Sequence, residues 1–184
     1  MPAPLIPKDE VIARITQTFK KQGYDGASLA ELSQQTGLVK ASLYHYFPDG
    51  KKEMAEAALD AFGASMAEKV IAPLRSEASP RQRLLAMIEG MNAVYDGGDD
   101  LCLFALLSVG DTRDLFQAKI KAKVGEVSEA LNKTLRDAGL SRSRAASRTE
   151  QLIVEVEGAL IVSRVLGDAG VFQRTLKRLR EQVP

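Results

Sequence analysis

The sequence predicts an all-α protein, an N-terminal three-helix helix-turn-helix domain followed by a larger helical domain. Three observations carry that expectation. Apolar residues recur at three- and four-residue spacing along most of the chain, and no stretch alternates as a strand would. Helix boundary signals recur as well, with Ser28 three residues before Glu31, Ser79 followed by Pro80, and Gly37 and Gly139 where apolar stripes end. Third, Ser28 to Phe47, SLAELSQQTGLVKASLYHYF, reads as two short helices joined by a tight turn.

The elements follow in chain order. Pro7 stands at or near the first position of a helix over residues 8–23, whose Val11, Ile12, Ile15 and Phe19 share one face. Ser28 with Glu31 forms a capping box that starts a second helix, with Leu29, Ala30 and Leu32 as its apolar face and Gly37 as its end. After a Gly37-Leu38-Val39 turn, a third helix spans residues 40–46, with Leu43 and Phe47 inward and Lys40, Ser42, Tyr44 and His45 outward. A long helix from about Gly50 to Arg75 bridges the two halves through Met54, Ala58, Phe62 and Met66. Ser79 and Pro80 then open a helix lined by Leu84, Leu85, Ile88, Met91 and Tyr95, which ends at the acidic turn Asp96–Asp100. Residues 102–109 read as a short apolar helix, and about Thr112 to Ala138 as a longer one with Leu115, Ile120, Val124, Val127, Leu131 and Leu135 in register. The last two helices are about Ser143–Gly167 and Phe172–Val183. The first of these is apolar nearly all round, which requires burial on more than one side.

Composition narrows the function. With 184 residues, 45% hydrophobic and 27% charged, the chain can build a core. A net charge of +1 argues against a protein that coats DNA without regard to sequence. A specific reader needs only a local patch, for which Lys20, Lys21, Lys40, Lys51 and Lys52 are available. A single cysteine, Cys102, forbids an intramolecular disulfide. It reads first as a small buried hydrophobe, with a thiol sensor as the lesser reading. With no signal-peptide pattern and no membrane-length apolar run, the expected location is cytoplasmic, with no membrane partner. His45 is the only histidine and falls on the outward face of the third helix, so no catalytic triad and no metal site can be assembled. There is no phosphate-binding glycine loop. No enzyme activity, cofactor or metal is expected.

The block GLVKASLYHYFPDGKKEMAEAAL, Gly37 to Leu59, closely resembles the end of the TetR-family DNA-binding domain, and FKKQGYDGASLAELSQQTGL, Phe19 to Leu38, resembles that domain's first two helices. The PDGKKE, GDTRDLF and EVEGALIVSRVLGD segments are similar to the family's LmrA/YxaF-like subgroup. The chain departs from the family pattern at Leu38-Val39, where a small residue is usual. The resemblance implies a transcriptional regulator, most often a repressor, with residues 1–50 binding double-stranded DNA and residues 51–184 forming an effector-binding and dimerisation domain. Expected DNA-binding residues are Ser28, Lys40, Ser42, Tyr44, His45 and Lys52, with Tyr44 and Lys52 on phosphates and Lys40, Ser42 and His45 in the groove.

The family also implies a pocket for a small-molecule effector. Phe62, Met66, Met87, Met91, Tyr95, Phe104, Leu107 and Phe116 are the candidate lining, which would suit an apolar ligand, although for any one of them taken singly a packed core is the preferred reading. Glu155 and Glu157 lie within the apolar helix, and a buried one needs a partner, for which an arginine is preferred. A homodimer would cover the remaining apolar faces through the last two helices, with Leu152, Val156, Leu160, Ile161, Val165, Phe172 and Leu176 at the interface, and its operator would be palindromic. The competing reading is a helical small-molecule-binding dimer that acts through a protein partner without specific DNA binding.

Overall fold

The computed structural model describes residues 6–110 and 113–184, and every regular element among them is helical. In order these are α1 (Lys8–Gly26), α2 (Leu29–Thr36), α3 (Lys40–Tyr46), α4 (Lys51–Met66), a π-helical segment (Ala67–Ile71), α5 (Ala72–Leu74), α6 (Pro80–Val94), a 3₁₀ turn (Asp96–Gly98), α7 (Leu103–Leu106), α8 (Arg113–Asp137), α9 (Arg142–Leu166) and α10 (Gly170–Glu181). Two compact units result, one from the residues up to Gly63 with Leu103–Ala118, the other from Ala64–Cys102 with Lys119–Pro184. The helix expected from Thr112 is α8, and Thr112 itself lies outside the described residues.

In the first unit α1, α2 and α3 close around Val11, Ile15, Phe19, Leu32, Leu43 and Phe47, all fully buried. The four-residue steps from Val11 to Ile15 to Phe19 stack these side chains on one face of α1, and each contributes about 2 kcal/mol before chain entropy is counted. Helix α1 bends at Gly23 and continues one turn beyond the expected end. The Tyr24 ring lies between Phe19, stacked at 5.9 Å, and Phe116, edge-on at 5.4 Å. Three expectations need correction here. Lys20 is buried, its ammonium 5.3 Å from the Phe62 ring centre, so it is not part of a basic surface. Ala30 is exposed, leaving Leu32 as the anchor of α2. In α8 Leu115 is exposed and Phe116 takes the core position.

The second unit is organised around a proline. Pro73 has no N–H for the carbonyl of Lys69, four residues back, and its ring would collide with that carbonyl in a regular helix. The chain widens there into a π turn, with the Ala72 N–H donating to the Ala67 carbonyl. Gly90 of α6 packs onto the Lys69 carbonyl so closely that a Cβ at residue 90 would stand 1.7 Å from its oxygen. Below the turn, the Leu74 carbonyl accepts from Thr134 Oγ1 at 3.0 Å and from Arg83 Nη1 at 3.2 Å, while Arg83 also pairs with Asp137 at 2.9 Å. Phe172 of α10 meets Tyr95 edge-on at 5.9 Å and closes over Gly98. Leu152, Val156, Leu160, Phe172 and Leu176 are consumed by this unit's own core. They offer little surface to a second copy, which corrects their place in the expected interface; Ile161 and Val165 remain exposed, with Val154, Val162 and Leu166 beside them.

Candidate nucleic-acid interface

The helix-turn-helix is held by short-range chemistry at each joint. Ser28 Oγ accepts from the Glu31 N–H at 3.2 Å and the Ser28 N–H donates to the Glu31 carboxylate at 2.8 Å. The backbone bond from Ser28 is the main reason the Glu31 carboxyl sits below its ordinary pKa. At the other end of α2, Gly37 adopts φ 72, a left-handed conformation open to glycine at little cost. Ser33 Oγ donates to the Leu38 carbonyl at 2.5 Å, the Leu38 N–H donates to Thr36 Oγ1 at 3.4 Å, and Arg14 of α1 donates to the Thr36 carbonyl at 2.9 Å. The turn is therefore tied both to itself and to α1.

Helix α3 buries Leu43, followed by Phe47, and exposes Lys40, Ala41, Tyr44 and His45, with Ser42 half-buried. Tyr44, 45% exposed, is propped from behind: its ring lies against Gly50 in the turn that follows α3. Tyr46 turns the other way, its hydroxyl donating to the Ile6 carbonyl at 2.7 Å. Lys52 is exposed and only loosely paired with Glu56, at 3.8 Å. Lys51 instead lies over the Tyr24 ring at 4.5 Å, and burial lowers its pKa. Two of the acidic residues nearby are spent on helix starts, Glu31 on Ser28 and Glu53 on the Asp49 N–H at 2.9 Å, while the Asp49 side chain stays exposed. What faces outward is two lysines, a hydroxyl, a phenol and an imidazole on a rigid frame, which suits contacts to phosphates and base edges.

Residues 11–58 match the family model described as bacterial regulatory proteins, tetR family. The chain is 24% identical over 167 residues to the HTH-type transcriptional regulator LmrA of Bacillus subtilis, covering 85% of each chain. Residues 11–58 are therefore a TetR-family domain. The chain is also 39% identical over 49 residues, 27% of its length and 26% of the other's, to a biofilm-operon negative transcriptional regulator, IcaR, of Staphylococcus aureus. Solved TetR-family regulators share its fold: one from Legionella pneumophila at TM-score 0.81 and 19% identity, covering 99% of this chain and 100% of the other, and one from Agrobacterium tumefaciens at 0.77 and 24%, covering 96% of each. Proteins of this family are DNA-binding regulators and not enzymes.

The residues expected to line an effector pocket are all buried. Phe62, Phe104, Leu107 and Phe116 belong to the first unit, where Phe62 and Phe104 meet edge-on at 4.9 Å. Met66, Met87, Met91 and Tyr95 belong to the second, where Met87 borders a void of about 20 Å³ with Leu84, Ile88 and Leu135. Sequence reasoning missed one polar cluster in the second unit. Glu157 hydrogen-bonds with Cys102, and burial raises its pKa; burial likewise pushes the Tyr95 hydroxyl, which bonds to Cys102, well above the usual tyrosine value. The arginine preferred for these glutamates falls to Glu155, which pairs within the chain with Arg148 at 3.3 Å. Cys102 is buried. Among the described residues no cluster of histidine, cysteine and carboxylate could hold a metal ion, and no helix is long and apolar enough to cross a membrane.

Proposed function

We propose that the protein is a ligand-responsive repressor that binds a palindromic operator as a homodimer through α3 and is released by an apolar small molecule. The observation that carries the DNA-binding part is the exposed row of Lys40, Tyr44 and His45 on a short helix whose turn is hydrogen-bonded at both ends. On this reading Tyr44 and Lys52 contact phosphates, Lys40, Ser42 and His45 enter the major groove, and Ser28 holds the start of α2. Repression is supported by the similarity to IcaR, a negative transcriptional regulator.

The dimer reading draws on α9, where Val154, Gly158, Ile161 and Val165 are exposed at four-, three- and four-residue steps. That is the spacing of a helix-pairing seam, and glycine allows close approach. For the effector we infer a site within the second unit, at the buried Met66, Met87, Met91 and Tyr95. A ligand there shifts DNA affinity only by as much as it prefers the conformation that does not bind DNA.

The test is fluorescence anisotropy with the regulator's own upstream DNA, at two salt concentrations and against a scrambled duplex of equal length. Saturable, salt-sensitive and sequence-preferring binding is expected. Binding that ignores sequence, followed by failure to enrich any sequence from a random pool, would overturn the reading in favour of a protein-partnered module.

A further inference from the structure

Val39 occupies the N-cap of α3 and serves it badly. Valine has no side-chain oxygen to accept from the helix's first N–H groups, and Val39 makes no cap hydrogen bond. Serine fills the same position elsewhere in this chain, capping α2 at Ser28, α6 at Ser79 and α9 at Ser141. Nor does the valine contribute to the core, since it is 67% exposed. A residue that neither caps its helix nor packs on its neighbours is here held in a fixed place. Its backbone is extended, with φ −68 and ψ 155, and its carbonyl accepts the Leu43 N–H at 3.1 Å. The preceding residue is pinned on both its polar groups, by Ser33 and Thr36. Val39 thus stands at the leading end of the surface that also exposes Lys40, Ala41, Tyr44 and His45.

We propose that Val39 is a specificity-determining residue, its isopropyl group packing on the C5-methyl of one thymine in each operator half-site. The inference rests on the DNA-binding role proposed for α3. The thymine methyl is the apolar group that the major groove presents, and the other base-pair edges offer hydrogen-bonding atoms that a valine could only leave unmet. A β-branched side chain with one stiff torsion loses little freedom on contact, and its backbone is already fixed. Because valine is neutral, its contribution is to discrimination between sequences and not to the salt-dependent phosphate attraction.

The experiment uses the full-length protein and an operator obtained by selection from random duplexes. Each thymine is replaced in turn by deoxyuridine, which removes one methyl and nothing else, and affinities are read by anisotropy for wild type, Val39→Ala and Val39→Ser. The expected result is one thymine per half-site whose replacement weakens wild type by about fourfold, the equivalent of one buried methyl(ene) group. Val39→Ala should be insensitive at that position, with its salt slope unchanged. Val39→Ser should lose the same sensitivity while melting at a higher temperature, because it restores a cap. A uracil scan that is flat for wild type, or that shows the same sensitive thymine in wild type and Val39→Ala, overturns the inference while leaving DNA binding intact. A selection that yields no preferred sequence overturns base reading by α3 altogether, and this inference with it.

Discussion

Gly90→Ala should be the most damaging single-methyl addition along α6, and its cost can be worked from one distance. The added Cβ would lie 1.7 Å from the Lys69 carbonyl oxygen and 2.6 Å from its carbon. Contacts below 3.0 Å are essentially never seen for a real Cβ, so α6 and the π segment must part by at least about 1.3 Å. The obstacle is backbone, held by the Ala72 to Ala67 bond of the π turn, and cannot swing aside as a side-chain tip would. Overpacking of a filled interior costs about 1–3 kcal/mol, occasionally more, and a backbone clash of this depth belongs at or above the top of that range. At about 2–4 °C per kcal/mol for a chain of this size, the melting temperature should fall by about 6–12 °C. The matched control is Gly125→Ala in α8, where a Cβ meets nothing within 4 Å. That change should stabilise by about 0.5–1 kcal/mol through helix propensity and reduced unfolded-state freedom. Thermal melts followed by circular dichroism decide it. A Gly90→Ala protein melting within about 2 °C of wild type would refute the close approach of α6 to the π turn.

Two further outcomes are expected. Lys52→Ala should weaken operator and scrambled duplexes by similar factors and reduce the salt slope by about one unit, whereas Lys40→Ala should change the order of preferred sequences; equal loss on all duplexes for both variants would remove the division between phosphate and base contacts. Burial raises the Glu157 pKa, so the folded state holds that proton more tightly than the unfolded chain, and stability should decline as pH rises from the ordinary carboxylate value through the raised one. Glu157→Gln should remove that decline, and parallel stability profiles for the two proteins between acid and neutral pH would show that the carboxyl is not desolvated.

Where structure depends on neighbours in sequence, it was legible before any coordinates. Ser28 with Glu31, Gly37 at the end of α2, and the 40–46 span of α3 follow from hydrogen-bonding capacity and backbone freedom within a few residues. Pro73 was equally visible, but the close approach to the π turn beside it comes from Gly90, which α6 brings back from 17 positions along the chain. Lys20 counts as a surface cation in any composition; its four methylenes and the Phe62 ring bury it through a contact that no local pattern encodes. In α8 two adjacent apolar residues, Leu115 and Phe116, competed for one inward position, and a small difference in helix phase decided between them. The apolar circumference of α9 announced burial without saying by what. Packing inside the second unit claims Leu152, Val156 and Leu160, so the face available to a partner is the complementary one.

That complementary face yields the prediction with most bearing on function. Val165 is 77% exposed and ends the seam that begins at Val154. If the seam pairs with its own copy about a twofold axis, one substitution alters the interface twice, and Val165→Glu places two carboxylates in an apolar contact where neither has a partner. Dimer dissociation should then be measurable by sedimentation velocity at micromolar concentration, with wild type dimeric and the variant monomeric. Helix α3 is untouched by the change, so a duplex carrying a single half-site should bind both proteins alike. The full palindrome should not, because joining two recognition helices makes the second contact intramolecular, an advantage of about 10²- to 10⁴-fold where the geometry fits. Equal affinity of both proteins for the palindrome, with the variant shown to be monomeric, would mean that specificity resides in one helix-turn-helix alone. A wild type that is itself monomeric would leave the exposed seam of α9 without the occupant assigned to it.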